Sequence, residues 1–336
     1  MIHIADSIED LTAADLAHWT ATADAARAPA FYHPGFLRAY ERAPLAPTDA
    51  FHYLFLPGAV LPAYLQGTDD AAGDVSGLGL AGDAPGARIL LTHVTHCYDT
   101  VLPAYDIGTS LKPACRALAE LAARHRARWF AFLDVDAASP LARHMTAGGF
   151  EPIPMETRYR LDLSPYRDLG DLIASHPRRS YAGRWLRRIR ARTERGDIET
   201  TVLRPPFEPA RIAEAVELCR RTTARHGTPG YYPEHLHAFV REAGPGVRVV
   251  ETRIDGRLAT AVICLTDAGR FHLWAGGTDE FPAGQGISRY TLLVSSVLGP
   301  ALDAGARCLE AGRGNGGVKE HFRMEPVRLA GFVGTR

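Results

Sequence analysis

The sequence predicts an α/β chain, mixed α+β in detail, built as two tandem domains of one plan. Three observations carry this. At 336 residues the chain exceeds the roughly 100–200 residues that one core usually serves. Each half presents strand hairpins, then a long helix, then a strand backed by a small helix. Aromatic and β-branched residues fall in short runs bounded by Pro, Gly and Asp-Gly, whereas other stretches space their apolar residues three and four apart.

In the first half, "FHYLFLPGAVLPAYLQ" (residues 51–66) is a hairpin that turns at Pro57-Gly58. A Gly- and Asp-rich loop over 67–87 precedes a third strand, "RILLTHV" (88–94). In "LKPACRALAELAARHRA" the residues Leu111, Cys115, Leu118 and Leu121 share a helical face. "WFAFLDV" (129–135) is a buried strand, and a short helix over 138–147 stops at Gly148-Gly149 before the closing strand "METRYRLDL". In the second half, the helical segments "PARIAEAVELCRRTTARHG" and "PEHLHAFVREAG" precede three strands in "VRVVETRIDGRLATAVICLTDAGRFHLWAGG". Asp255-Gly256 and Ala268-Gly269 join those strands as hairpin turns. The helix "GISRYTLLVSSVLGPALDAGA" and the strand "RCLEAG" follow, and "VRLAGFV" closes the second sheet. The predicted domains are therefore 1–165 and 166–336.

Composition excludes several classes. With 46% hydrophobic and 23% charged residues, and 38 basic against 38 acidic side chains, the chain is ordinary and globular, and no DNA-coating surface is expected. An anionic partner has to be met locally. The N-terminal stretch lacks a basic segment followed by an apolar one, and no apolar run approaches the ~18 residues of a membrane span, so a soluble, cytoplasmic protein is expected. Five cysteines without CxxC spacing read as reduced, mostly buried thiols.

Local charge is concentrated in "HPRRSYAGRWLRRIRARTERGD" (176–197), where the eight arginines between Arg178 and Arg195 have only Glu194 as an acid among them. Ala182, Trp185, Leu186 and Ile189 form an apolar stripe, which places Arg184, Arg187, Arg188, Arg192 and Arg195 mainly on the outer face of an amphipathic helix. That face is either solvated or a holder of phosphates.

Four segments in order, "PAFYHPGFLRAY", "HPRRSYAGRWLRRIRARTERGD", "VELCRRTTARHGTPGYYPEHL" and "LEAGRGNGGVKEHFRMEPV", resemble the tandem-GNAT group that includes the Fem-type aminoacyltransferases and FemAB-like proteins. The resemblance spans most of the chain. It implies two GNAT-like domains with a substrate groove between them and N-acyl transfer as the activity. It further implies aminoacyl-tRNA as donor co-substrate, with acyl-CoA as the alternative and no tightly bound cofactor. The acceptor is a small amine or hydroxylamine, in specialised metabolism, or a cell-wall precursor. The chain shows no long charged helical arm of the kind some Fem enzymes carry, and a non-catalytic GNAT-like binding protein is the reading from another class.

Candidate site residues follow. In "RFHLWAGGTDEFPAGQGISRY", Gly284 and Gly286 lie where a strand turns into a helix, a setting for a donor pyrophosphate. Phe281 stands where CoA-dependent relatives carry Arg or Gln, which counts against CoA. Arg184, Arg187 and Arg188 are the remaining donor-binding candidates. In "EAGRGNGGVKEHF", Gly314 and Gly316 allow close backbone approach to a substrate, and the resemblance gives Lys319 the task of offsetting charge on the reacting ester carbonyl. Thr222 and Arg225, one helical turn apart, together with Tyr232, are candidate acceptor contacts. "THVTHCYD" collects His93, His96, Cys97 and Asp99 without metal-ligand spacing, so no metal site is predicted. Asp99 is the general-base candidate of the first domain, because an attacking ammonium must lose a proton.

Overall fold

The computed structural model describes residues 2–68, 75, 78, 80, 86–94, 97–225, 233–280 and 288–335. The chain divides into two compact units, Met1–Arg158 with Val327–Arg336, and Tyr159–Pro326.

The first unit opens with β1 (His3–Ala5), α1 (Ala13–Ala25) and α2 (Pro34–Arg42). Thr12 starts α1 through a capping box with Asp15, which satisfies backbone N–H groups that have no partner inside the helix. The hairpin β2 (Ala50–Leu56) and β3 (Ala59–Gly67) turns at Gly58, whose φ of +72° suits glycine. β4 (Arg88–Leu91) pairs antiparallel with β3 and parallel with β5 (Trp129–Asp136). β4 is shorter than expected, because its pairing with β5 ends at Leu91↔Ala131 and the chain then turns out of the strand. α3 (Ile107–Arg124) is capped by Asp106, and α4 (Pro140–Ala147) by Ser139 with Pro140 in its first turn. Leu111, Leu118 and Leu121 bury against the sheet core at Leu61, Leu90 and Phe132.

β6 (Ile153–Asp162) carries the chain across the boundary at Arg158 and Tyr159. The second unit continues with α5 (Leu169–Ser175), α6 (Tyr181–Glu194), β7 (Ile198–Leu203), α7 (Pro209–Arg225) and α8 (Pro233–Glu242). β8 (Val247–Ile254), β9 (Arg257–Asp267) and β10 (Arg270–Thr278) then form an antiparallel meander, with β7 at its edge. α9 (Arg289–Asp303) leads to β11 (Cys308–Arg313), which lies parallel to β10, and α10 (Gly316–His321) follows. The helix α7 approaches β10 so closely that a Cβ on Gly277 would lie 2.5 Å from the backbone of Leu218 and Cys219.

The last strand corrects the sequence reading. β12 (Glu325–Thr335) does not close the second sheet alone; from Leu329 it pairs antiparallel with β5 and sets Ala330 and Phe332 in the first unit's core. An apolar terminal strand fits any open sheet edge, and linear order does not say which edge it takes. The unit boundary accordingly falls at 158/159 rather than 165/166, with the C-terminal strand returned to the first unit. Among the described residues, no helix is long and apolar enough to cross a membrane.

One buried polar group fixes the turn from β9 to β10. Asp267 lies 2.8 Å from His272 Nε2 and 2.8 Å from Arg270 Nε. Burial by itself would raise its pKa, but the hydrogen bond and charge of His272, with the charge of Arg270, bring it down to about 2. A depressed carboxylate pKa contributes stability above the unfolded value near 4, lost as pH falls through the folded one. Urea unfolding of the wild type and Asp267→Asn should differ by on the order of 2 kcal/mol near neutral pH, with the gap shrinking as pH drops from about 4 to about 2. A gap independent of pH would show that the carboxylate is not what holds the turn.

Candidate active site

β10 and β11 run parallel, but their register holds only from Arg270↔Cys308 through Phe271↔Leu309 to His272↔Glu310. Beyond His272, among the described residues, the two strands have no further pairing. One residue later, β10 departs from regular pairing with β9 between Leu273 and Ala275, leaving Trp274 as a bulge. A bulge adds twist and takes one residue's backbone groups out of the ladder. The second unit therefore contains a wedge between two parallel strands, joined at its base and open toward their C-terminal ends.

Each open end is tied by its own helix. On the β10 side, Thr222 Oγ1 of α7 accepts from the Thr278 N–H at 2.9 Å and lies 3.2 Å from the Thr278 carbonyl. Arg225 Nη2 donates to the same carbonyl and, at 3.0 Å, to the Thr222 hydroxyl. These bonds use Nη2, and Nη1 and Nε of this exposed side chain have no partner among the described residues. The Thr-x-x-Arg pair thus grips the strand end with one edge of its guanidinium and presents the other.

On the β11 side, Lys319 is fully buried. Its Nζ turns back to donate to the carbonyls of Gly312 and Arg313, each at 2.9 Å, and lies 5.3 Å from the centre of the Tyr159 ring. The glycine-rich path makes this possible. Gly312, Gly314 and Asn315 all have positive φ, and a Cβ on Gly316 would lie 2.2 Å from the Tyr159 hydroxyl oxygen. Burial pushes the Tyr159 phenol pKa up, and the nearby Glu320 carboxylate adds to this. The Asn315 side chain also hydrogen-bonds Tyr290, in the first turn of α9, whose phenol is raised by burial.

The arginine-rich helix meets this region through Tyr181. Its hydroxyl lies 2.8 Å from Thr291 Oγ1 in α9, and its ring stacks on His321 in α10 at 4.6 Å. Arg184 and Arg188, three and seven residues on, are exposed, with Arg188 over the Trp185 ring. Arg187 corrects the expectation of a common outer face. It is half-buried, and its Nη2 donates to the carbonyls of Ile173 (3.0 Å) and His176 (2.8 Å) while Nη1 donates to Gly183 (2.9 Å). It therefore caps the C-terminal end of α5. Arg192 and Arg195 approach Asp197, and Arg190 pairs with Glu194.

In the first unit, Asp99 is buried and salt-bridged to Arg158 at 3.1 Å, and Arg158 also approaches Asp136 at 3.7 Å. His93 Nε2 lies 3.9 Å from Asp134. Tyr232, Gly284, Gly286, Phe281 and His96 lie outside the described residues. The second unit brings Thr222, Arg225, Gly314, Gly316 and Lys319 to the ends of one strand pair. Tyr159, Tyr181, Thr278, Tyr290 and Asn315 were not anticipated. Each acts through a contact distant in sequence, and no local spacing announces it.

Residues 179–323 match the family described as "Acetyltransferase (GNAT) domain". No curated protein matches the sequence. Among solved structures, FemX is similar at TM-score 0.66 and 10% identity, covering 99% of this chain and 97% of that one. The C-terminal domain of a putative lysylphosphatidylglycerol synthetase from Agrobacterium fabrum gives TM-score 0.60 at 14% identity, covering 96% and 92%. A tandem GNAT protein from the clavulanic acid biosynthesis pathway gives 0.56 at 15%, covering 100% and 98%. The fold is thus that of tandem GNAT and FemAB-like proteins, and the matched domain places the chain among acyltransferases.

Three substitutions separate structural from exposed cations. Lys319→Met leaves two buried carbonyls without their donor and should lower stability by about 1–3 kcal/mol. Arg187→Glu should cost at least as much, because it replaces the α5 cap with a charge that repels carbonyls, whereas Arg184→Glu should leave the melting temperature unchanged. Wild-type melting of Lys319→Met would show that its ammonium does not hold the strand end.

Proposed function

We infer that this tandem-GNAT acyltransferase of FemAB-like fold transfers an aminoacyl group from aminoacyl-tRNA to the nitrogen of a small amine or hydroxylamine. The observation that carries this reading is the contact of Tyr181 with Thr291 and His321, which brings the cationic start of α6 to the helices flanking the open wedge. A donor that chemistry draws into the wedge by its ester can then have its phosphates met by Arg184 and Arg188, with shape and charge rather than sequence as the basis of recognition. The Fem-type resemblance of the same segments points to the same donor.

In this reaction the acceptor nitrogen attacks the ester carbonyl and the C–N bond forms; as the tetrahedral intermediate collapses the C–O bond to the ribose breaks, and the proton given up by the nitrogen is taken by the departing ribose oxygen, which leaves as a hydroxyl. The intermediate carries an oxyanion, stabilised by fixed donors at the wedge. Lys319 supplies positive charge from behind β11 and fixes the glycine-rich path, rather than reaching forward as a mobile side chain. The outward edge of Arg225 suits an acidic group on the acceptor. Asp99, held by Arg158, is assigned no proton-transfer step.

A second reading, acyl-CoA as donor, is favoured by one feature: α9, the next described element after the wedge strand, begins with Ser288 as its cap, and a helix start receives anions. Incubating the purified protein with charged total tRNA, or with a panel of acyl-CoAs, plus amine and hydroxylamine acceptors distinguishes the two by product mass. Ribonuclease should abolish product formation. Product from acyl-CoA that survives ribonuclease would establish the second reading, and no turnover with either donor would leave a binding protein. With charged tRNA, Arg184→Glu and Arg188→Glu should weaken donor binding and flatten its log-log salt dependence by about one unit for each phosphate no longer neutralised. An Arg225→Gln variant should raise KM for acidic acceptors more than it lowers kcat.

A further inference from the structure

The second unit holds a second concavity that shares no lining residue with the wedge. It lies where α5, α6 and α9 meet, in two connected compartments. The larger, about 530 Å³, is walled mainly by Leu169, Ile173, Leu186, Ile189, Leu292 and Pro300. That volume falls within the ~300–1,000 Å³ of small-molecule sites.

Gly299 lines this compartment from the middle of α9. Glycine in a helix interior is unfavourable relative to alanine. Packing does not demand it here, since a Cβ would meet only Leu169 Cδ2 at an ordinary 3.5 Å. What its missing side chain does is keep the cleft open. Pro300 follows it and has no N–H to offer the carbonyl four residues back, so this stretch of helix is doubly disfavoured by its own residues.

The smaller compartment, about 420 Å³, continues past Gly170, Ile173, Arg190 and Glu194, which line both. There Arg178, Arg187 and Arg190 converge, and Glu194 is the one acid among the lining residues. Glu194 pairs with Arg190 at 2.8 Å, and Arg187 is fixed on carbonyls. Arg178 is exposed and has no carboxylate partner among the described residues. Asp168 and Asp303 line the apolar compartment, where they repel an anionic head. The cleft therefore has one apolar length, where acids outnumber the single arginine, and one end where three arginines outnumber the single acid, which fixes the direction of a bound amphiphile.

We propose that this cleft binds a linear amphiphile with an anionic head, a medium-chain fatty carboxylate, with its tail along Gly299 and its carboxylate at Arg178. The site is separate from the wedge, and it stands whether the donor is aminoacyl-tRNA or acyl-CoA.

The test is calorimetric titration of the full chain with dodecanoate below its micellar concentration, beside butyrate and dodecyltrimethylammonium. Dodecanoate should bind, and the short anion and the long cation should not. Gly299→Leu fills the cleft and should weaken dodecanoate about tenfold or more, with melting unchanged or raised; Gly299→Ala should do so more mildly and serves if the larger residue disturbs α9. Arg178→Glu should weaken binding by a similar factor. Arg184→Glu, which impairs the donor in the proposed reaction, should bind dodecanoate normally, so a failure of the donor reading and a failure of this one are distinguishable. Absence of dodecanoate binding, equal binding of the cation, or wild-type affinity in both glycine variants overturns the proposal.

Discussion

The constraint on which the second unit depends is that two adjacent parallel strands are bonded at one end and apart at the other. Separating strands inside a sheet leaves backbone donors and acceptors that need other partners. The chain answers with side chains from the helices that follow or precede each strand: Thr222 and Arg225 take the end of β10, and Lys319 takes the end of β11. Tyr290 and Asn315 join the next helix to the glycine-rich path. The residues whose types suggested chemistry are therefore also those that hold the wedge open. A lysine on two carbonyls and an arginine on one are charge-assisted hydrogen bonds, stronger than neutral ones and suited to a strained backbone path.

The arginine-rich segment resolves into distinct roles once its partners are visible. Arg187 caps α5, Arg190 pairs with Glu194, and Arg192 and Arg195 share Asp197. Of the eight arginines, three pair with the two carboxylates Glu194 and Asp197, and a fourth is taken up by carbonyls. Arg178, Arg179 and Arg184 remain exposed at the start of the helix. Charge density along a sequence thus overstates the field that a partner meets, because pairing at three or four residues' distance is the ordinary fate of such side chains.

The elements that sequence made legible are those with strong local period or turn chemistry: the hairpins at Gly58, Gly256 and Gly269, the helices α3, α7 and α9, and the order of strands in each half. Less legible were α5, which is seven residues long, β1, which is three, and the edge strand β7, each too short for a period to accumulate. The fate of β12 was hidden for another reason: its apolar pattern is as compatible with one sheet as another. At the site, Lys319 and the Thr222–Arg225 pair were legible as residue types in a pattern. The direction of the Lys319 ammonium was not, because it is set by Tyr159 on a strand some 160 positions earlier.

The first unit shows what the same strand arrangement becomes when it is filled. Its parallel pair, β4 and β5, also stops after three matched residues, at Leu91↔Ala131. Yet the chain returns at Thr100, which bridges in parallel to Val135 and whose N–H donates to the Asp134 carbonyl at 3.2 Å. Beside that stitch lies the buried Arg158 guanidinium, 3.1 Å from Asp99 and 3.7 Å from Asp136. An ion pair desolvated to this extent gains little net stability over apolar packing, but removing either partner leaves a buried charge uncompensated and is costly. Such a cluster fixes geometry more than it stores energy. Asp99 thereby reads as part of a plug. A carboxylate bound to a buried guanidinium closes the strand ends in the first unit, whereas in the second unit the corresponding parallel pair, among the described residues, stays unstitched beyond His272. Similar topology is thus closed by its own side chains in the first unit and, among the described residues, left unstitched in the second.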